Sequence, residues 1–302
     1  MPNQPKHISI CVCTYKRPIL LQRLLQALLG QETLGLFTFS IVVVDNDRLR
    51  SAEPVVSDFA AAAKLIPVRY CEEPRQNIAL ARNKAVENAS GDFVAIIDDD
   101  EFPEGDWLLK LFTACEEYRV DGVLGPVKRY FDEEPPGWIV KGHFYERPSH
   151  PTGHIMPWME SRTGNLLTRR EVFHEEVPPF RPAFRAGEDQ DFFRRMAGRG
   201  RIFIWCNEAV VYEVVTPSRW KRIYMLRKAL LRGETAALHP TVGPLSVIKS
   251  VIAVPAYVLA LPIAALLGQH RFMDLLVRLF DHLGKLLALI GLNPVKEPYV
   301  AG

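Results

Sequence analysis

The stretch Asp92-Phe93-Val94-Ala95-Ile96-Ile97-Asp98-Asp99-Asp100-Glu101 limits the choice of fold more than any other in the chain. Five apolar residues, Phe93 to Ile97, run without a polar break. Such a run reads as a strand buried on both faces, the habit of parallel sheets. Four carboxylates follow at once. Adjacent negative charges repel, and a strand end gives little relief. A divalent cation or a hydrogen-bonding ligand among them makes the arrangement tolerable. Oxygen ligands of this kind suit Mg²⁺ or Mn²⁺ shared with substrate phosphates. An acidic run also occurs as a solvated turn. Its place at the carboxyl end of a buried strand, where open α/β sheets bind ligands, favours a site.

The surrounding pattern supports that strand. Ile8 to Cys13 is apolar, and Thr14-Tyr15-Lys16-Arg17-Pro18 breaks it. Pro18 suits a first helical turn, and Leu20, Leu21, Leu24, Leu25 and Leu28 supply an apolar helix face. Further strands are predicted over Phe39–Val44 and Val68–Cys71. Helices are predicted around Ala52–Ala63, Ile78–Ala89 and Asp106–Tyr118. This alternation predicts an α/β fold, a Rossmann-like, mostly parallel sheet with helices on both faces. Right-handed crossovers then bring Thr14, Asp45 and Asp98 to Asp100 to one sheet edge. No Gly-x-Gly-x-x-Gly turn or Walker loop is present, so dinucleotide and P-loop chemistry lack their phosphate cradle.

At 302 residues the chain has room for one large α/β domain and an appendage. A net charge of +2 argues against a general nucleic-acid binder. The five cysteines are scattered and odd in number, which reads as reduced core cysteines of a cytosolic domain. The polar start, Met1 to His7, leads straight into a strand, so secretion through an apolar signal is not expected. Gly122 to Pro157 is rich in proline and aromatics, including Trp138, and reads as a long surface connection that shapes a pocket. His143, His150 and His154 in it match no zinc spacing. Gly187-Glu188-Asp189-Gln190-Asp191 is expected to open a helix anchored by Phe192, Phe193 and Met196. Simple capping explains part of this, since carboxylates are favoured at a helix N-terminus. Two consecutive carboxylates beside a glycine, on a domain already carrying an acidic site, point further.

In order and spacing these pieces resemble the family 2 glycosyltransferases, with their A-type nucleotide-sugar fold. The matching segments are Val12-Cys13-Thr14-Tyr15-Lys16-Arg17-Pro18, Val44-Asp45-Asn46, Asn77 with Ala81-Arg82-Asn83, Gly91-Asp92, Asp98-Asp99-Asp100, Trp107-Leu108, Thr163-Gly164-Asn165 and Gly187-Glu188-Asp189. Val123 to Val127 and Val211-Tyr212-Glu213 look like the bacterial exopolysaccharide glucosyltransferases of the succinoglycan type. The resemblance implies that Thr14 and Asp45 hold uracil and that Arg82 lies near the base or phosphates. It puts Lys16 in the nucleotide set and brings Asp98 and Asp99 to the ribose. Asp100, with Asp98, would bind Mg²⁺ or Mn²⁺ on the diphosphate. Asp189 would be the general base, with Glu188 beside it. Trp138, Asn165, Arg219 and Trp220 would meet the acceptor or the sugar. Relatives often carry a histidine in the metal shell where this chain has Tyr212, and Glu213 is the candidate replacement. Thr216-Pro217-Ser218-Arg219-Trp220 keeps the Arg-Trp of processive synthases without their glutamine, so one sugar per encounter is expected.

The last third differs in character. Basic residues from Arg219 to Arg232 interleave with Trp220, Ile223, Tyr224, Leu226, Leu230 and Leu231. That predicts a basic amphipathic helix suited to anionic headgroups or a lipid diphosphate. Residues 250–267 carry no charge and would span about 27 Å as a helix, near the bilayer core of about 30 Å. Pro255 and Pro262 would kink it, leaving a span and a re-entrant hairpin both open. Arg271 to Leu292 reads as amphipathic and surface-lying. The expected division is a transferase domain over 1–215 and membrane-associated helices over 216–302. The expected partners are a UDP-sugar donor, a lipid-linked saccharide acceptor and the membrane surface, without nucleic acid, at the cytoplasmic face of the plasma membrane. A nucleotidyltransferase shares such a sheet and acidic site. A non-catalytic nucleotide- or cation-binding membrane protein has no need of Asp189.

Overall fold

The computed structural model describes residues 5–184, 186–238 and 243–296. Residues 1–4 of the polar start lie outside them. The chain begins β1 (Lys6–Thr14), α1 (Pro18–Leu29), β2 (Phe37–Asp45), α2 (Glu53–Ala62), β3 (Val68–Glu72), α3 (Ile78–Asn88), β4 (Phe93–Ile97). It continues β5 (Glu101–Pro103), α4 (Trp107–Tyr118), β6 (Gly122–Leu124), β7 (Val127–Tyr130), α5 (Gly137–Lys141), β8 (Asn165–Arg169), α6 (Glu188–Gly198), β9 (Phe203–Trp205) and β10 (Val211–Val214). Three helices close it: α7 (Arg222–Leu238), α8 (Pro244–Leu266) and α9 (Gln269–Leu289).

Seven strands form one sheet in the order β3-β2-β1-β4-β8-β6-β9. β1 runs parallel to β2 and β4, β2 to β3, and β6 to β9. Only β8 runs antiparallel to its neighbours, β4 and β6. Side chains alternate across such a sheet. Ile8, Ile10, Val12 and Phe93 pack under α1, α2 and α4, whereas Cys11, Val42, Val94 and Ile96 pack against α3 and α6. β4 is buried at all five positions because helices cover both faces. α1 has no side-chain cap; its stripe of Leu21, Leu24, Leu25 and Leu28 is wholly buried. Each such burial is worth about 1.5–3 kcal/mol, so packing rather than capping holds this helix.

A smaller sheet, β5-β10-β7, stands beside the carboxyl end of β4. Its β7 lies inside the segment expected to be a long loop, as do β6 and the short α5. Those strands are too short for periodicity to reveal. The basic segment is also divided. A 3₁₀ turn, Pro217–Trp220, precedes α7, so Arg219 is not on the helix.

α8 continues unbroken through Pro255 and Pro262. Its 23 residues would reach about 35 Å. It is long and apolar enough to cross a membrane, with 11% of its most apolar window buried inside the chain. It rests on α9 through His282 Nδ1 and Ser250 Oγ (2.9 Å) and through Lys285 Nζ donating to Ser246 Oγ (3.0 Å). α7 and α9 cross at Gly233 and Gly284. A Cβ at Gly233 would meet the Asp281 carbonyl at 2.1 Å, and one at Gly284 the Leu230 carbonyl at 2.2 Å. Any side chain at either position would force the helices apart.

Candidate active site

β4 delivers Asp98, Asp99 and Asp100 to the wall of an open cavity of about 1000 Å³, with Glu101 buried behind them. Arginines from three directions neutralise this acidic run. Arg17, just before α1, places Nη1 3.0 Å from Asp99 Oδ1 and 3.0 Å from Asp100 Oδ2. Arg82 on α3 reaches Asp98 Oδ1 at 3.3 Å and pairs with Glu188 on α6. Arg219, on the 3₁₀ turn, pairs with Asp100 and with Glu213 Oε1 at 2.7 Å. Thr14 at the end of β1 donates to Asp99 Oδ2 at 2.8 Å. Arg82 is aimed by its helix, whose N-cap Asn77 accepts from Ala79 N and Leu80 N. Burial pushes Asp99 up to about 6 against the pull of Arg17. Burial also pushes Asp100 upward, but Arg219 and Arg17 outweigh it and hold it below the usual range.

Strand periodicity decides which residue of the Tyr212–Glu213 pair faces this wall. β10 pairs antiparallel with β5, Glu213 opposite Glu101 and Tyr212 opposite Phe102. Opposed residues share a face and neighbours alternate. Tyr212 therefore stacks on Phe102 at 5.4 Å and donates its hydroxyl to Glu104 Oε1 at 2.9 Å, away from the acids. Glu213 turns inward, held by Arg219 and by Arg147 Nη2 at 2.5 Å.

The donor set suits a hard divalent cation. Glu101 Oε1 is buried with no hydrogen-bond partner among the described residues. Gly164 lies against it: a Cβ there would sit 2.7 Å from Glu101 Oε1 and 3.1 Å from Asp98 Oδ2. Glycine lets these two carboxylates converge. Burial, reinforced by Asp98, holds Glu101 well above the usual carboxylate range. A cation beside Asp98 and Glu101 would relieve that repulsion, and oxygen ligands select Mg²⁺ or Mn²⁺. Among the described residues, no three His, Cys, Asp or Glu side chains are placed together to hold a metal ion. The positive charge at Asp100 comes from the arginines.

Across the cavity, α6 opens with Glu188 and Asp189, and Phe192, Phe193 and Met196 are buried beneath it. Glu188 is buried and ion-paired to Arg82. Asp189 lines the main cavity and also a second one of about 430 Å³ that adjoins it at Arg82, Asp98 and Arg147. Its Oδ1 accepts from Gln190 N at 2.8 Å, and no salt bridge reaches it among the described residues. Asp191 is fully buried between Arg194 and Arg195 and belongs to the core.

Other expected site residues lie elsewhere. Asp45 is wholly buried, and its oxygens accept from Asp47 N, Ala52 N and Tyr70 Oη. It builds the turn after β2, and Asn46 lines the cavity instead. Lys16 is exposed, its Nζ 5.1 Å from the Tyr15 ring. Asn165 uses its amide on Trp107 Nε1 and on the Pro126 and Ala209 carbonyls, so it staples the sheets beneath the second cavity. Trp138 packs on Phe144, and Trp220 lies near Phe131, both behind the cavity wall. Sequence reasoning missed Arg17 and Arg147 as partners of the acids. Arg17 stood inside a quoted motif, whereas Arg147 carries no local signal.

Burial pushes Glu188 up to about 7, even with Arg82 pulling it down. A carboxyl raised from 4.5 binds its proton in the native state after the unfolded chain has lost it. Its contribution to stability is full below that unfolded value and falls as pH rises through about 7. Asp99 acts alike through about 6. His7 and His282, lowered by burial, oppose this. In Glu188→Gln the thermal midpoint, relative to wild type, is expected to rise between pH 5 and 8. Parallel pH curves for the two proteins would contradict a buried, proton-retaining Glu188.

The model of glycosyl transferase family 2 matches residues 9–185, from β1 to the approach of α6. Succinoglycan biosynthesis protein ExoM of Rhizobium meliloti (strain 1021) is 31% identical over 312 residues, covering 98% of this chain and 97% of that protein. The mannosyltransferase PcManGT from Pyrobaculum calidifontis, solved with GDP-Man and Mn²⁺, gives a TM-score of 0.63 at 18% identity, over 98% of this chain and 89% of that one. S. aureus TarS 1-349, solved with UDP, gives 0.54 at 18% identity, over 92% and 88%. At that identity the two structures bear on fold alone. The family match covers the strand ends that carry the acids, and the sequence kinship extends over nearly the whole chain. The chain belongs to glycosyl transferase family 2 and is a glycosyltransferase.

Proposed function

We propose that the enzyme transfers a hexose, glucose from UDP-glucose, to a lipid-linked saccharide in surface polysaccharide synthesis, with inversion at the anomeric carbon. The observation that carries this reading is one cavity lined both by Asp98 to Asp100, with their arginines, and by Asp189 at the start of α6. The first group suits a nucleotide diphosphate. Guanidinium forks match phosphate geometry, and Arg17 and Arg219 both reach the strand end. Thr14 and Asn46 line the end of the cavity nearest the strand tips, where uracil and ribose would lie with Asp98 and Asp99. Asp45 acts through the turn it holds. Asp100, with Asp98, would hold Mg²⁺ or Mn²⁺, which neutralises charge on the departing diphosphate. Asp189 takes the proton from the attacking hydroxyl. Kinship with ExoM supports the polysaccharide context, and the UDP and GDP-Man complexes of the two structural neighbours support a nucleotide-sugar donor.

The helices of residues 216–302 would fix the enzyme to the cytoplasmic membrane face. Leu245, Val251, Ile252, Leu259 and Leu266 of α8 are exposed, Leu266 at 89%. Burying such side chains in lipid is favourable by about 25 cal/mol per Å². Changing Val251, Ile252 and Leu259 together to Ser is expected to move full-length protein from the membrane to the soluble fraction. Retention of the triple variant in washed membranes would rule out this face as the anchor.

The function is tested by a donor screen. Release of nucleotide diphosphate is measured across UDP-, GDP- and dTDP-sugars with a membrane lipid extract as acceptor. UDP-glucose is expected to be used best. Preferential turnover of a GDP-sugar would remove the donor assignment.

A further inference from the structure

The cavity does not end at the acidic strand. It is also lined by Lys228 and Arg232 of α7, Ser246 of α8 and Lys285 of α9. Four features distinguish this part of it. Lys228 has no hydrogen bond or ion pair among the described residues; its Nζ lies 5.9 Å from the Tyr224 ring. It is solvent-accessible, and burial, Arg219 and Arg17 lower its pKa while Asp100 and Glu213 pull it the other way. Lys285 Nζ meets a neutral hydroxyl, Ser246 Oγ, at 3.0 Å. Among the described residues, Arg232 has an acid partner, Asp281, which accepts from two of its nitrogens at 3.0 and 2.9 Å. This part is therefore cationic with its charge largely unspent. Ser246 also sits in the first turn of α8 beside Leu245, which is 82% exposed. Cationic cavity and apolar helix meet at that turn.

We propose that this part of the cavity is a subsite for the diphosphate of an amphiphilic acceptor, held by Lys228 and Lys285, with the apolar chain leaving along α8. The assignment rests on the lipid-linked acceptor reading and adds the residues that select it. Two ammonium groups and a hydroxyl suit clustered phosphate oxygens. Cations that already have carboxylates, such as Arg17 and Arg219, remain with the donor. Both anionic groups would then share one cavity, with Lys228 close to the arginines of the acidic site. The saccharide of the acceptor would extend toward Asp189. An anionic membrane surface offers phosphates too, but it presents single phosphodiesters and does not enter a cleft.

The experiment uses full-length protein, wild type and the Lys228→Gln/Lys285→Gln double variant. Binding is measured by flotation on phosphatidylcholine vesicles alone, with a polyprenyl diphosphate, or with phosphatidylglycerol. UDP affinity is measured alongside. Wild type is expected to prefer the polyprenyl diphosphate vesicles. The double variant should lose that preference by at least about tenfold while its UDP affinity and its binding to the other vesicles stay within about threefold. An unchanged preference overturns the subsite. So does equal loss on phosphatidylglycerol, which marks a general anionic surface, and so does a fall in UDP affinity alone, which assigns Lys228 to the donor. Transfer of labelled sugar by wild type to a lipid extract tests the acceptor reading separately. It can succeed where the double variant shows no defect, so the two failures are distinguishable.

Discussion

Asp189→Asn is expected to lower sugar transfer by at least about 10²-fold, within the 10²–10⁴-fold typical of general-base help. A sugar hydroxyl is a poor nucleophile at neutral pH and needs a carboxylate within hydrogen-bond reach. Of the acids around the cavity, Glu188 is committed to Arg82, and Glu213 is held between Arg219 and Arg147. Asp191 is locked in the core by Arg194 and Arg195. Asp189 lines both cavities and forms no salt bridge among the described residues. Asparagine keeps the shape and can still accept from Gln190 N, so the helix start should survive. Calorimetric affinity for UDP-glucose should be unchanged while kcat falls. Near-normal kcat would remove Asp189 from the role.

Asp100→Ala is expected to weaken Mn²⁺-dependent binding of UDP-glucose by at least about 10²-fold, since even a group supporting a metal ligand typically costs 10–100-fold. The same change leaves Arg219 with Glu213 and Arg17 with Asp99, so both arginines keep a carboxylate partner. The fold should therefore persist, and near-ultraviolet circular dichroism would verify it. Titration of UDP-glucose with and without Mn²⁺ separates metal-dependent from metal-independent affinity. If the cation made no difference to wild type, Asp100 would serve only as the arginines' counter-ion.

The sheet was readable because its signals are local and long. Phe93 to Ile97 had to be covered on both faces, and it is. The leucine stripe of α1 had the right period. The strand-end acids and the opening of α6 also followed from adjacent residues. What escaped was decided by pairing between distant segments. Tyr212 and Glu213 differ by one position, and only the register of β10 against β5 tells which one faces the acids. Arg219 looked like part of a basic helix, but the turn from Pro217 to Trp220 swings it to Asp100. The family resemblance implied that Asp45 holds uracil. Its oxygens are instead used by the turn, through Asp47, Ala52 and Tyr70. Asn165 lines the second cavity, but its side-chain amide is spent on Trp107 and two carbonyls. A buried carboxylate or amide spends its hydrogen bonds where the fold leaves donors unpaired, and that demand is invisible until the chain is closed.

A single in-line displacement in this cavity leaves one stereochemical mark. Under the proposed reading, with the diphosphate bound at Asp98–Asp100 and Asp189 as base, the hydroxyl would attack opposite the leaving group. The anomeric configuration of the product made from α-linked UDP-glucose, read from its proton–proton coupling by nuclear magnetic resonance, tests this most directly. A β-linked product is expected. An α-linked product would contradict a single displacement assisted by Asp189.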